Sequence, residues 1–414
     1  MDSLINRNTP KVMHIDLNSC FATVEQQAHS HLRGKPLVIA AYTSPNGCVV
    51  APSIEAKTFG IKTGMTVRDA RLLCPDVIVR DPDPVMIRDV HIKFRNITRD
   101  YSPNVVPKSI DEVVINFDGV LAIQRGLENI GYEIKKRFRK EIGEWISCNV
   151  GIGTNRFLAK LAASLHKPDG LDVLNHENLL DTYTSLKLTD LNGINTRFEA
   201  RLNANGIFTP LQFFQATETA LKKNVFKSII GSQWYLRLRG FEVDDVQFSR
   251  KSYGQDFALG KFTSDVEVLS QYIMKLCEKM GRRLRRAGFV ARGIHIGMIY
   301  DDWTYWHRGR KVTQPMFTTQ DLFTKAMWVF NQQPVRKIVS KLSVSCYDLE
   351  SSKESQQSLF DEYDKRKEIA QAIDKVNDKY GEFVITPALM MGMGDVILER
   401  IAFGAVKELE DIYC

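Results

Sequence analysis

Three patterns in this 414-residue chain predict a multidomain α+β protein. Residues 1–165 alternate short apolar strands with amphipathic helices. Residues 178–238 carry helical spacing throughout. Residues 253–349 run strand, helix, strand, strand, helix, strand, the pattern of a small α+β sandwich. At ~100–200 residues per domain, the length allows two to four domains, each with its own core.

The elements follow in order. Val12-Met13-His14-Ile15 is an apolar strand ending on Asp16, and Phe21 to Ala28 is a helix. Pro36 to Ala41 and Val77-Ile78-Val79 are strands, the second set off by the turn at Pro82 to Pro84. Ile87 to Tyr101 is helical, and Val113 to Phe117 is a β-rich strand. Leu127 to Ile142 is a helix with Lys135, Lys136, Arg137, Arg139 and Lys140 on its outer faces. Ile146 to Val150 is a strand, and Phe157 to Leu165 a helix. Asn192-Gly193 and Asn205-Gly206 mark turns in the helical region, and residues 241–252 form a polar connector. The later strands are Phe257 to Phe262, Ile294 to Tyr300, Lys311 to Phe317 and Ser340 to Tyr347. The helices between them are Leu269 to Ala287 and Thr319 to Phe330. Ser351 to Ser358 is a polar linker, followed by a charged helix from Lys365 to Lys379.

Composition narrows the function. Hydrophobic residues make up 44% and charged ones 25%, which excludes a disordered chain, a collagen and a disulfide-stapled miniprotein. No run of ~18 apolar residues is present, so no membrane span is expected. The N-terminus has no secretory apolar run, and a cytoplasmic protein is expected. Seven scattered cysteines form no CxxC pair and read as reduced thiols, while the eight histidines form no HxxxH pattern and argue against zinc. Net charge is +7, unevenly spread. Residues 249–350 hold 17 Lys and Arg against 9 Asp and Glu, whereas residues 351–414 hold 8 against 13. That asymmetry suggests a nucleic-acid-binding segment followed by an appendage that does not bind it, or a solvated surface with no partner.

The most informative signal is a pair of strands with acids at their ends, His14-Ile15-Asp16-Leu17-Asn18 and Ser109-Ile110-Asp111-Glu112-Val113. If the strands are neighbours, Asp16, Asp111 and Glu112 converge, and a divalent cation relieves their repulsion. Hard oxygen ligands without histidine or cysteine favour Mg²⁺ or Mn²⁺, and two such ions suit in-line phosphoryl transfer. On a regular strand Asp111 and Glu112 face opposite sides, so a bend is required between them. The alternative is structural acids, solvated or salt-bridged. Gly151-Ile152-Gly153-Thr154-Asn155 leads into a helix and could cradle phosphate, although it is no P-loop. Lys167, beside Pro168, is either a triphosphate-binding cation or a surface lysine. Leu191-Asn192-Gly193-Ile194-Asn195, followed by Arg197 and Arg201, is either a phosphate-binding helix-hairpin-helix or an ordinary helical hairpin. Arg282, Arg283, Arg285 and Arg286, with Arg292, Arg308 and Arg310, would line a phosphate backbone or complement a helix C-terminus.

Taken in order, these stretches resemble the Y-family DNA polymerases, the translesion group that includes the polymerase IV and polymerase V branches. The matching segments are HIDLNSCFATVEQ (14–26), GCVVAPSIEAKTFGIKTGM (47–65), KSIDEVVINF (108–117), GIGTNRFLAKLAASLHKPDG (151–170), DLNGINTRFEARLNANGI (190–207) and KSYGQDFAL (251–259). The resemblance implies a right-hand polymerase. Its palm would comprise 1–16 and 78–165, its fingers 17–77 and its thumb 166–238. A linker at 239–252, a little finger at 253–349 and a tail at 350–414 would follow. It implies Asp16, Asp111, Glu112 and the Leu17 carbonyl as metal ligands for two Mg²⁺ ions, with Mn²⁺ as a substitute. Asp16 and Asp111 would bridge both ions, and Glu112 would hold the one that activates the primer 3′-hydroxyl. Asn18, Ser19, Cys20, Phe21, Lys57 and Lys167 would surround the incoming dNTP, with Phe21 as a steric gate against ribose. Phe21 is otherwise a core aromatic on a helix face. Gly193 and Asn195 of the thumb hairpin, and the arginines, would hold primer–template DNA.

The sequence departs from the family pattern in places. Ile54 stands where polymerase IV members usually carry tyrosine, and Ala51 where a hydroxyl residue is usual. Asn18 replaces a second aspartate, Lys57 an arginine, and Asn195 the second glycine of the hairpin. Lysine at 57 loses a bidentate fork and keeps the charge. Gln356, Leu359 and Phe360 resemble a peptide that docks in the bacterial sliding clamp. The expectation is a monomeric, template-directed DNA polymerase of low processivity, active in damage tolerance. The competing expectations are a non-catalytic polymerase-like scaffold and a hairpin-type repair enzyme.

Overall fold

The structure is a computed structural model. It describes residues 4–246, 250–352, 361–381, 383–394 and 396–397. Contacts divide the chain into two compact units on either side of Val246.

In the first unit β1 (Val12–Leu17) leads into α1 (Cys20–Ala28). Strands β2 (Leu37–Ala40) and β3 (Val49–Pro52), helices α2 (Ile54–Thr58) and α3 (Val67–Leu73), and strand β4 (Ile78–Arg80) follow. Next come α4 (Pro84–Arg99), β5 (Val105–Pro107), β6 (Glu112–Asn116) and α5 (Leu127–Arg137), which ends in a π-helical turn over Phe138–Ile142. β7 (Cys148–Gly153), α6 (Arg156–Leu165) and β8 (Leu171–Leu174) complete the sheet region. α7 (Leu179–Ser185), α8 (Thr196–Asn203), α9 (Pro210–Gln215), α10 (Glu218–Ala220) and α11 (Ile230–Arg237) then form a helical cluster around Tyr183, Phe213 and Trp234.

The central sheet has the order β5-β6-β1-β7-β8, with β1 antiparallel to both neighbours. Met13, Ile15, Val113 and Ile115 turn one face toward α4 and α5, where Phe94, Ile130 and Phe138 close a core. The opposite face is covered by α6, and the glycines explain how. A Cβ on Gly151 would stand 2.0 Å from the Ala159 carbonyl oxygen, and one on Gly153 would stand 2.6 Å from the Ala159 amide. Gly151-Ile152-Gly153 therefore lies inside β7 and admits close helix–sheet packing, and the phosphate-cradle expectation for it does not hold. A separate small sheet, β3-β2-β4, has its own core of Val38, Val49, Ala56, Ile61 and Ala70. Ser53 caps α2, and a Thr66–Asp69 box caps α3.

Several expectations shift. β8 pairs parallel with β7, so residues 171–174, expected within the thumb at 166–238, extend the central sheet. Short strands β3 and β5 carry too few residues to show a period. Lys135 was expected on an outer helix face. It is instead buried, with its ammonium on the Gly170 carbonyl at 3.2 Å and on Asp169 at 3.2 Å.

The second unit is an antiparallel sheet, β11-β10-β12-β9, built from β9 (Ser252–Thr263), β10 (Phe289–Tyr300), β11 (Tyr305–Met316) and β12 (Val339–Ser351). Helices α12 (Val266–Arg286) and α13 (Thr319–Phe330) pack through Ile273, Leu276, Met280 and Leu322 onto Ile294, Ile296, Leu342 and Val344. The tail helix α14 (Asp361–Tyr380) belongs to this unit. Asp374 accepts a bidentate pair from Arg285 at 2.6 and 2.8 Å, and Asp378 accepts from Arg282 at 2.8 Å and Arg286 at 2.6 Å. Two carboxylates of the acidic tail thus meet three arginines of the basic row and offset part of its charge within one molecule. A row of arginines free to follow a phosphate backbone does not hold for these three.

Two stability outcomes follow from this packing. Gly151→Ala is expected to destabilise the first unit by about 1–3 kcal/mol through overpacking, read as a lower urea midpoint. Asp374→Ala leaves the Arg285 guanidinium, only 4% exposed, without its carboxylate and with only the Phe317 carbonyl and Thr319 hydroxyl as acceptors. It is expected to cost the second unit about 3 kcal/mol. An unchanged midpoint in either variant would contradict the packing described.

A candidate active site at the end of the central strand

The site is built by register. Asp16 lies directly opposite Glu112 in the β1–β6 pair and opposite Asn149 in the β1–β7 pair. Facing residues in an antiparallel pair share one side of the sheet, so Asp16 and Glu112 project together. Asp111 precedes β6 in a bend at residues 109–111. There the Lys108 and Ser109 amides both donate to the Glu112 carbonyl at 2.9 and 3.3 Å, and the Leu17 amide donates to the Asp111 carbonyl at 2.9 Å. The bend releases Asp111 from strand alternation, and it is the one the sequence requires. Ser109 donates to Asp111 Oδ1 at 2.5 Å.

Burial dominates the electrostatics. Asp111 is pushed up to about 6 by burial, with Asp16 and Glu112 adding to the rise against the Ser109 hydrogen bond. Burial raises Asp16 as well, and the Lys167 ammonium pulls it back. Lys167 donates to Asp16 Oδ2. Lys160 donates to both oxygens of Glu112, at 2.9 and 2.8 Å. Both lysines come from α6 and the turn after it, the helix that the β7 glycines bring close. Lys57, on α2, is lowered by burial and then by Lys167, so two ammonium groups share the neighbourhood of Asp16.

The turn between β1 and α1 is tightly made. Ser19 sits in the left-handed region at φ 48°, and its buried hydroxyl has no hydrogen-bond partner. Asn18 Nδ2 donates to Ser147 Oγ at 3.1 Å. The Cys20 thiol is buried and pushed well above its usual range by burial, then by Asp111 and Asp16. Phe21 is fully enclosed in the sheet core, which is where a helix-face aromatic would go.

In the helical cluster Gly193 adopts φ +98°, a conformation open to glycine. Asn195 caps α8 and accepts from the Arg197 and Phe198 amides at 3.1 and 3.0 Å. Those two amides are therefore occupied by a side chain. In the second unit Arg283 donates to the Gly254 carbonyl at 2.7 Å, and Arg292 donates to Glu350 at 2.6 Å. Arg308 is exposed and Arg310 half-buried on β11. Gln356, Leu359 and Phe360 lie outside the described residues.

Sequence reasoning missed several groups here. His14 stands with Nε2 3.9 Å from Glu112, so a histidine and a cysteine do border the acids, contrary to expectation. Its ring is buried and pushed down to about 3, first by burial and then by Lys160, Lys167 and Lys108, which makes it a neutral imidazole. Lys160, in the middle of α6, was legible as part of the 151–170 segment but without a role at the acids. Asn149 is visible only through register.

The acids fit hard divalent cations by chemistry: partly buried carboxylates whose like charges act on one another. As placed, they turn toward lysines. Among the described residues no group of three or more His, Cys, Asp or Glu side chains is arranged to hold a metal ion.

Comparison with known proteins bears on this arrangement. Residues 15–164 match the impB/mucB/samB family, and residues 250–359 match the impB/mucB/samB family C-terminal domain. DNA polymerase IV of Pelotomaculum thermopropionicum is 30% identical over 395 residues, covering 94% of this chain and 97% of the relative. DNA polymerase IV 1 of Bacillus subtilis is 31% identical over 387 residues, covering 90% and 91%. A solved Y-family DNA polymerase chimera of Dbh and Dpo4 superposes with a TM-score of 0.72 at 23% identity, over 82% of this chain and 98% of that one. That likeness concerns the fold. The fold and the site together define a right-hand polymerase. The chain belongs to the impB/mucB/samB family, the Y-family of DNA-directed DNA polymerases. No helix among the described residues is long and apolar enough to cross a membrane.

Removing one of the crowded buried charges should stabilise the ligand-free protein. Asp111→Asn is expected to raise its stability near neutral pH by about 1–2 kcal/mol. A urea midpoint equal to or below that of the unaltered chain would contradict the crowding.

Proposed function

We propose that this chain is a template-directed DNA polymerase of the translesion type, adding dNTPs to a primer 3′ end by two-metal-ion nucleotidyl transfer. The observation that carries the reading is the convergence of Asp16, Asp111 and Glu112 at the end of β1, with Lys57, Lys160 and Lys167 around them. When bound, two Mg²⁺ ions, or Mn²⁺, supply Lewis-acid polarisation of the phosphoryl group and a more acidic primer hydroxyl. Asp16, Asp111, Glu112 and the Leu17 carbonyl would hold those ions.

The lysines then have a different task. Their ammonium groups, released from the carboxylates, would hold the triphosphate, Lys167 and Lys57 foremost. The Asn18-Ser19-Cys20 turn would close on the same nucleotide, with the Ser19 hydroxyl available as a donor. Phe21, rigid in the first turn of α1, would wall the sugar against ribose. For the hand we assign the palm to 1–16 and 78–165 with β8 added, the fingers to 17–77, the thumb to the helices through 238, and the little finger to 253–349. Primer–template DNA would meet the Gly193 hairpin and the β11 arginines Arg308 and Arg310. Gln356, Leu359 and Phe360 would dock in a bacterial-type sliding clamp, raising a low intrinsic processivity. Such a monomer would act in the cytoplasm, in tolerance of damaged templates.

A primer-extension assay on plain and abasic templates tests the reading. Extension is expected to need both dNTPs and Mg²⁺, and to fall by about 10³-fold or more in Asp111→Ala/Glu112→Ala. Extension that survives in that variant, or is absent from the unaltered chain, would favour a non-catalytic scaffold. Products of equal length with and without the clamp would remove the clamp assignment.

A further inference from the structure

One buried amide connects the acids to the lysine turn. Asn149 is 1% exposed and stands opposite Asp16 in register. Its Nδ2 donates to Asn18 Oδ1 at 2.6 Å, and its Oδ1 accepts the Gly170 amide at 2.9 Å. Asn18 lies two residues past Asp16, and Gly170 ends the turn that carries Lys167. Burial keeps water from replacing either bond. The same turn is fastened from its other side. Lys135 holds the Gly170 carbonyl and Asp169, Arg139 pairs with Asp169, and the Val150 amide donates to the Gly170 carbonyl at 3.1 Å. Asn149 is therefore the side-chain strut between the turn and the chain leaving Asp16.

We propose that Asn149 is a positioning residue for the incoming nucleotide, setting where Lys167 stands relative to Asp16. A lysine is a point charge on a flexible four-carbon stem, so the place of its backbone decides what its ammonium reaches. Held by the Asn149 strut, Lys167 spans from Asp16 to a triphosphate without reorganisation of the turn. Without the strut the turn keeps its other fastenings but loses its side-chain tie to the chain leaving Asp16, and displacement of about 1 Å is enough to weaken such a grip. Asn149 touches neither substrate nor reacting atoms and acts through Lys167. This inference rests on the polymerase reading above and adds the residue that aims its triphosphate cation.

Single-nucleotide insertion kinetics on one primer–template test it, with the unaltered chain, Asn149→Ala, Lys167→Ala and the double variant. Asn149→Ala is expected to raise KM for the dNTP about tenfold, with kcat changed by less than about threefold. In the Lys167→Ala background the same change is expected to add less than about threefold, since the strut has nothing left to aim. Multiplicative effects in the double variant, or a loss of kcat with KM unchanged, would overturn the role of Asn149 and leave the polymerase reading intact. Absence of insertion by the unaltered chain would overturn both. Should Asn149→Ala fail to fold, Asn149→Ser carries the same comparison, because its hydroxyl leaves a small polar group in the site.

Discussion

Three partly buried carboxyl groups meet at one end of β1, and their neighbours answer the charge they bring. Burial pushes Asp111 up to about 6 and raises Asp16. Lys160 and Lys167 meet Glu112 and Asp16 directly. Those lysines arrive because α6 lies against β7, and α6 lies there because Gly151 and Gly153 have no side chains to hold it off. A steric allowance on one strand thus sets an electrostatic balance on the next.

That balance is suited to being exchanged. The Lys167 and Lys160 side chains are 45% and 40% exposed, so neither pair is locked away from solvent. Lys57 and Lys167 lie close enough to repel. Acids seeking a cation and lysines seeking an anion stand side by side, each satisfied by the other. A triphosphate arriving with divalent cations would bring both signs and replace the pairs within the site while keeping its charge near balance.

The second unit solves a related problem internally. Its basic row on α12 meets Asp374 and Asp378 of the tail helix, so the strong charge difference between the two segments is largely settled within one unit. The tail continues onto the same helix. Asn377 exchanges hydrogen bonds with Ile385 at 3.0 and 2.9 Å, and the Ile397 side chain is buried in the sheet-and-helix core. The described part of this acidic segment is a third layer of the domain, while Arg308 on β11 stays exposed and Arg310 half-buried.

Periodicity alone found the longer elements, because an apolar stripe must face a core wherever that core lies. β1, β6, α6, α12 and α13 are all legible this way, and so are the two strand-end acids. β3, β5 and β8 were not, since strands of three or four residues show no period, and the equally short β2 and β4 were legible only as apolar runs. The Asp111 bend was implied by the chemistry the acids would need. The glycine pair looked like a phosphate loop until α6 was seen against it. Lys135 looked like a surface charge until the turn at 169–170 folded onto it. The arginine row looked free until residues some ninety positions later supplied its carboxylates. Composition and spacing report what a segment prefers by itself. The lysine partners of the acids, the Asn149 strut and the covered arginines depend on which distant segment arrives, and only packing in three dimensions decides that.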